Sequence, residues 1–380
     1  MVLSEKHELL RNLYRQFAET EFTSDILDEL DATNSYNWDI HHKMVKAGLF
    51  GCKIPVEYGG QGSDNLAYAL MVEELSRVSP VLALYANTPN SLGAGPILQV
   101  GTDEQCKKYL TPSAKGEKII CCAITEPGAG SDAGGTTTTA IQDGDDFILN
   151  GRKCFISGAP IADYAIIFAK TDLEAKGSRG ISCFIVDMKL PGISLGKDED
   201  KMGIRGYPTG DIIMEDVRVS GDCLLGDLHK GFAQAMVTLD GGRLGVAAQS
   251  LGIGQACLEE AIKFAKDRKQ FGRRIADFQA ISFMLADMAT EVAAARELTY
   301  NAAVLKDKKD PGAPQAIYMA KYYASEMCNR VAAKALQIHG GYGFVKDYKI
   351  ERLYRDARIT TIYEGTSQVR QMVISAALLK

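Results

Sequence analysis

Apolar residues Leu10, Leu13, Tyr14 and Phe17 recur at i, i+3, i+4 and i+7, the spacing of one face of an amphipathic helix. The same stripe returns over Trp38 to Phe50 and Leu66 to Val78, which predicts a helical first third. Gly48, Gly51, Pro55 and the loop Tyr58-Gly59-Gly60-Gln61-Gly62 are stop signals, punctuation rather than a phosphate cradle. Between about Ile119 and Gly226 the pattern changes to short β-branched and aromatic runs bounded by Gly, Pro and Asp, as in a small antiparallel barrel or sandwich. Phe147 to Leu149, then Asn150-Gly151, then Arg152 to Ile156 reads as a hairpin, since Asn-Gly supplies the two positive-φ residues of a type I′ turn. Tyr164 to Lys170, Ile181 to Asp187 and Asp211 to Val219 add strands, and Lys197 to Lys201 reads as a solvated loop. From His229 the helical period returns, near 229–266, 275–306, 315–339 and 366–379, with Lys306 to Pro314 the one polar, Pro-broken connection. The expected organisation is α+β and multidomain: a helical domain over 1–118, a β domain over 119–226 and a helical bundle over 227–380.

Composition narrows the function classes. Of 380 residues, 46% are hydrophobic and 24% charged, an ordinary globular balance with enough apolar mass for large cores. A formal net charge of -5 offers no polybasic footprint for nucleic acid. The apolar runs Tyr164 to Ala169 and Cys183 to Val186 fall far short of the roughly 20 residues that span a bilayer, so no membrane insertion is expected. The charged N-terminus lacks a signal-peptide core, and nine cysteines with no CxxC pair suit a reducing compartment, so the expected location is cytoplasmic. Five scattered histidines give no metal spacing, and no Ser sits in G-x-S-x-G.

Two segments could carry chemistry. Thr125-Glu126-Pro127-Gly128-Ala129-Gly130-Ser131-Asp132 gathers hydrogen-bonding side chains around glycines that let a ligand approach the backbone, although a plain turn has the same composition. It lacks the G-x-G-x-x-G pattern of a nicotinamide site. In Tyr363-Glu364-Gly365 a carboxylate stands between an aromatic and a glycine, as a general base can, and equally as a surface Glu ahead of a helix starting at Thr366. His339, beside Gly340 and Gly341, reads as structural.

TEPGAGSD (125–132), NGRKCFIS (150–157), RKQFGRRIADFQA (268–280), QIHGGYGF (337–344) and RDARITTIYEGTSQV (355–369) resemble, in order and spacing, the motifs of the acyl-CoA dehydrogenase family, over essentially the whole chain. The resemblance implies an N-terminal helical domain, a middle β-barrel or sandwich domain and a C-terminal four-helix bundle. It also implies noncovalent FAD, a homotetramer, and electron transfer to electron-transferring flavoprotein. Carried over, Glu364 is the base that takes the proton α to the thioester, with its own backbone N–H among the oxyanion donors. Some relatives place the base in the helix around Asp240 to Arg243, where this chain has Gly242. Thr125 and Ser157 match residues bonding the flavin ring, Phe155 stands where relatives often carry Trp, and Ser131 matches a residue at the pyrophosphate or the CoA chain. Arg268, Phe271, Gln279, Gln337 and Gly341 match the set gripping the adenosine end across a subunit interface, and Thr366 and Gln368 match further FAD contacts. Gln270 replaces a Thr of some relatives. Asp240, Arg243, Tyr363 and Gly365 match substrate-side positions.

Tyr85 to Gly93 aligns with a pocket-lining segment and resembles relatives acting on short, aryl-acryloyl or alicyclic acyl-CoAs. No Arg, Asp or Glu lies between Val81 and Val100, so a second carboxylate on the substrate has no partner there. A reductase running the reaction in reverse or an oxidase would share these motifs, and a non-catalytic, DNA-associated relative would be expected to add a basic surface that this chain lacks.

Overall fold

Ser4 opens the first helix by accepting a hydrogen bond from the His7 amide, and the apolar stripe behind it buries Tyr14 and Ala18. In this computed structural model, which describes residues 2–379, the first third consists of α1 (Glu5–Glu21), α2 (Ser24–Thr33), α3 (Trp38–Lys46), α4 (Asn65–Val78), α5 (Pro80–Thr88), α6 (Ala94–Val100) and the short α7 (Asp103–Gln105) and α8 (Thr111–Ala114). The helix read to Phe50 ends at Lys46, because Gly48 takes φ 73 and turns the chain into a short 3-10 segment at Leu49–Gly51. Every residue of α4 from Leu66 to Ser76 is buried, since helices cover it on several sides.

The middle region is one seven-stranded sheet: β1 (Ile120–Ala123), β2 (Thr139–Asp143), β3 (Asp146–Ser157), β4 (Tyr164–Lys170), β5 (Ile181–Asp187), β6 (Ile193–Leu195) and β7 (Thr209–Ser220). Its order is β1-β4-β2-β3-β7-β6, with β5 paired to β4. The sheet is mixed rather than antiparallel, because β4 runs parallel to both β1 and β2. The expected Asn150-Gly151 hairpin is absent. β3 runs straight through that dipeptide, and the tight turn sits earlier, where Gly144 takes φ 64 between β2 and β3. Asn150 instead bonds Asp216 on β7 through both its amide nitrogen and its oxygen, across a register shift between Leu149 and Gly151. A Cβ on Gly151 would lie 2.8 Å from Thr138 Cα, so the glycine answers to a close neighbour and not to a turn. Lys197 to Lys201 is also less free than its charges suggest, since Asp198 accepts from the Thr209 amide and Lys201 donates to Asn34.

The last third holds α9 (Gly231–Asp267), the two-residue strands β8 (Lys269–Gln270) and β9 (Arg273–Arg274), α10 (Gln279–Asp307), α11 (Ala313–His339), α12 (Lys349–Ala357) and α13 (Ser367–Leu378). α9 is the spine of the molecule, packing on α4, α10 and α11. No helix among the described residues is long and apolar enough to cross a membrane. The cysteines are free thiols, seven of them buried.

Candidate active site

A cavity of about 530 Å³ opens where the β domain meets the bundle. Thr125 and the loop Gly130 to Gly135 line one wall; Phe232, Met236 and Arg243 of α9 line another; Glu364, Gly365 and Arg370 close it. Two sequence segments more than 230 residues apart, the glycine-rich loop and the C-terminal Glu, thus share one space.

Glu364 sits in a strained turn. Its φ is 55 and that of Gly365 is 91, left-handed backbone that costs a non-glycine residue about 1–2 kcal/mol. The turn is fastened by two cations: Arg243 Nε donates to the Glu364 carbonyl at 3.4 Å and Lys321 Nζ to the Gly365 carbonyl at 2.7 Å. Oε2 of Glu364 is buried without a hydrogen-bond partner among the described residues. Burial pushes the carboxyl up to about 7, against the pull of Arg243, Lys321 and Arg370. Burial likewise lowers Lys321 to about 7 and Arg370 to about 10. Gly242 on α9 faces the carboxylate directly, since a Cβ there would lie 2.6 Å from Cδ of Glu364. Asp240 pairs with Arg243 at 2.6 Å.

The loop Thr125 to Asp132 is held by its own glutamate. Glu126 turns away from the cavity and accepts from the Thr136 hydroxyl, the Thr137 amide and hydroxyl, the Thr138 amide and Lys153 Nζ at 2.8 Å. Despite its burial, these partners, Lys153 first, hold its carboxyl far below the ordinary range. Lys153 is fully buried and donates to the Ile124 carbonyl as well. Two residues on, a β-bulge between Lys153 and Ile156 puts Phe155 at φ 56 and leaves its ring 65% exposed. Bulges re-aim side chains, and this one explains why Lys153 and Cys154 are both buried while Phe155 points out. The Cys154 amide bonds the Thr125 carbonyl at 2.9 Å, so Thr125 and the Phe155–Ser157 stretch sit side by side.

The other sequence-derived candidates divide. Thr366 uses its hydroxyl to cap α13, accepting from the Val369 amide, and Gln368 lies exposed on that helix. The Tyr363 hydroxyl bonds Gln249 of α9 and does not line the cavity. Arg268, Phe271, Gln279, Gln337 and Gly341 cluster at the other end of α9, 25 residues or about 37 Å from Arg243 along the helix axis, and Phe271 is 92% exposed. Arg268 lies over the Tyr342 ring there, and the buried His339 stacks on Phe264. The sequence reading missed Lys321, Arg370, Lys153 and the structural role of Glu126. One signal was available: Lys321 falls on the stripe Ile317, Ala320, Ala324, Cys328, the buried face of α11.

Family models match the chain in three consecutive pieces: the N-terminal, middle and C-terminal domains of acyl-CoA dehydrogenase over residues 4–117, 121–217 and 229–379. The chain is 58% identical to a subunit of the caffeyl-CoA reductase–Etf complex of Acetobacterium woodii and 57% identical to a 3-(aryl)acrylate reductase of Clostridium sporogenes, each over all of both chains. It superposes on butyryl-CoA dehydrogenase of Megasphaera elsdenii with a TM-score of 0.96 at 41% identity, covering both chains fully. With its three domains matched in order and its glutamate facing the glycine-rich loop across one cavity, the chain belongs to the acyl-CoA dehydrogenase family, FAD-dependent oxidoreductases acting on CH–CH bonds.

Proposed function

We propose that this chain interconverts an acyl-CoA with its α,β-enoyl-CoA, that its substrates are short-chain, aryl-propionyl or alicyclic thioesters, and that with aryl-acryloyl-CoA it works as a reductase. The observation that carries the reading is Glu364: a carboxyl without a hydrogen-bond partner at Oε2, raised to about 7, on the wall of the cavity that the Thr125 loop lines. A group poised near neutrality can take the α-proton in one direction and return it in the other. Arg243 and Lys321 fasten the turn, and as in the family it resembles, the backbone N–H of Glu364 would donate to the thioester oxygen.

The residues present fit a flavin. Phe155 offers an exposed ring beside Thr125 and Ser157, and Gly128 and Gly130 face open space where a Cβ would meet nothing within 4 Å. Thr125, Phe155 and Ser157 would hold the ring, with Ser131, Thr366 and Gln368 beyond it. When bound, FAD supplies the hydride exchanged with the β-carbon. The adenosine-end set Arg268, Phe271, Gln279, Gln337 and Gly341 stands too far along α9 to serve the same cofactor, which supports sharing between chains in a homotetramer. Electron-transferring flavoprotein is the redox partner this reading implies, in line with the Etf complex in the relative's name.

A polar cluster next to Gly242 supports a short acyl site. One turn beyond Gly242, a Cβ on Gly245 would lie 3.1 Å from Asn87 Cγ; Asn87 accepts from the buried Tyr68 hydroxyl and bonds Ser91. The greater likeness to aryl-acrylate reductases than to short-chain dehydrogenases, which are 44–46% identical, supports the reductive direction. Comparing kcat/KM for reduction of aryl-acryloyl thioesters with oxidation of butyryl, phenylpropionyl, cyclohexanecarboxyl, glutaryl and palmitoyl thioesters tests the reading. A preference for palmitoyl or glutaryl overturns it.

A further inference from the structure

Lys321 is fully buried, and the sequence gives it no apparent task. Its Nζ makes one hydrogen bond, to the carbonyl of Gly365, the residue immediately after Glu364. That carbonyl and the preceding one, Glu364 O, both belong to the left-handed turn, and each takes its donor from a different helix: α11 for Gly365, α9 for Glu364. A buried ammonium with no carboxylate within salt-bridge distance among the described residues is costly in water-poor surroundings, and here it stands at the back of the turn that carries the reacting carboxyl.

We propose that Lys321 is a positioning residue for the proton transfer at Glu364, pinning the turn through Gly365 O and supplying the buried positive charge that keeps the carboxylate form accessible. The inference rests on Glu364 being the group that moves the α-proton. The charged and titratable neighbours of Glu364 are Arg243 and Asp240 on α9, Arg370 on α13, Tyr68 on α4, Cys122 on β1 and adjacent Tyr363, with Tyr318 and Glu326 beside Lys321 on α11. Among them Arg243 already pairs with Asp240, and Arg370 Nη2 crowds the Gly365 position at 2.5 Å from a built Cβ. Lys321 is the cation whose hydrogen bonding is given wholly to the turn.

The test reads proton transfer apart from hydride transfer. The holoenzyme is given an acyl-CoA analogue with sulfur in place of the β-methylene, which can exchange its α-hydrogens with D2O but has no hydride to give. Exchange is followed by mass spectrometry from pH 5.5 to 9, and binding by the shift of the flavin spectrum. Lys321→Met should move the midpoint of exchange upward by about one pH unit and lower the rate at pH 7 about five-fold, because a carboxyl that loses a positive neighbour ionises later. Binding should change less than about threefold. Lys321→Arg, which keeps the charge on a different arm, should hold the midpoint near the wild-type value. Should Lys321→Met fail to fold, Lys321→Gln retains a donor for Gly365 O and carries the same comparison. A wild-type midpoint in the variant that lacks the charge, whether the rate is unchanged or uniformly reduced, overturns the proposal. Exchange surviving in Glu364→Gln would instead overturn the reading of Glu364 on which it rests.

Discussion

Two glutamates of this chain stand near lysines, Glu126 buried and Glu364 half-buried with its Oε2 covered, and they have opposite characters. Glu126, in the β domain, accepts five hydrogen bonds including one from Lys153 and is held as a carboxylate far below its usual range. Glu364, in the bundle, has three cations around it, yet its Oε2 has no donor and its carboxyl is raised to about 7. Proximity of positive charge therefore does not decide what a buried carboxyl does. Direct donors do: they replace the water that burial removes, whereas charges at longer range only soften the loss. Glu126 is a fastener for the loop bearing Thr125 and Ser131, and Glu364 is left unsatisfied on the cavity wall, where the proposed function has a proton move.

The largest effect should come from Glu364→Gln. Oxidation or reduction, read as flavin bleaching or reoxidation under anaerobic stopped flow, should slow by about 10²–10⁴-fold while product still shifts the flavin spectrum. Bleaching near the wild-type rate would make Glu364 as inert chemically as Glu126. Lys153→Met should sharpen the contrast from the other side. It leaves Glu126 charged and uncompensated, and urea unfolding should show a loss of about 3–5 kcal/mol, part of which Lys153→Met with Glu126→Gln recovers. If the single variant is as stable as wild type, Glu126 is no fastener. Gly242→Ala should lower kcat by about ten-fold to a hundred-fold with FAD content intact, since the new methyl displaces the carboxylate.

The smallest effect is in stability against pH, where the two glutamates should give opposite slopes. The raised Glu364 binds more protons folded than unfolded between about 4.5 and about 7, so its contribution falls as pH rises through that window. The depressed Glu126 contributes fully above its unfolded value, and that contribution is lost as pH falls toward its folded one. Relative to wild type, Glu364→Gln should therefore gain stability at pH 8 compared with pH 5 in denaturant titrations. An equal offset at both pH values would mean that Glu364 titrates normally.

The same contrast marks what the sequence could tell. Helical stripes placed the first and last thirds because each amphipathic face buries against α9 or its neighbours, and the five motifs named the family. Position in the fold escaped where a residue's partner is remote in sequence. Asn150-Gly151 has turn chemistry, but the pull of Asp216 and the closeness of Thr138 keep it in a strand. Glu126 reads as a ligand-facing side chain until Lys153 and three threonines claim it. Lys321, a charge on an apolar stripe, is a buried cation whose position in the helical period could have betrayed it.

Gly242 and Glu364 occupy one point from two sides, and this couples their histories. A methyl at 242 meets the end of the Glu364 side chain and makes the carboxylate swing aside, and a carboxylate grafted at 242 would compete with Glu364 for the same space. Whichever change comes first produces a crowded enzyme or one without a base. On the proposed assignment, moving the base from the C-terminal turn to α9 one substitution at a time passes through such an intermediate, which a paired change or a spare gene copy would carry.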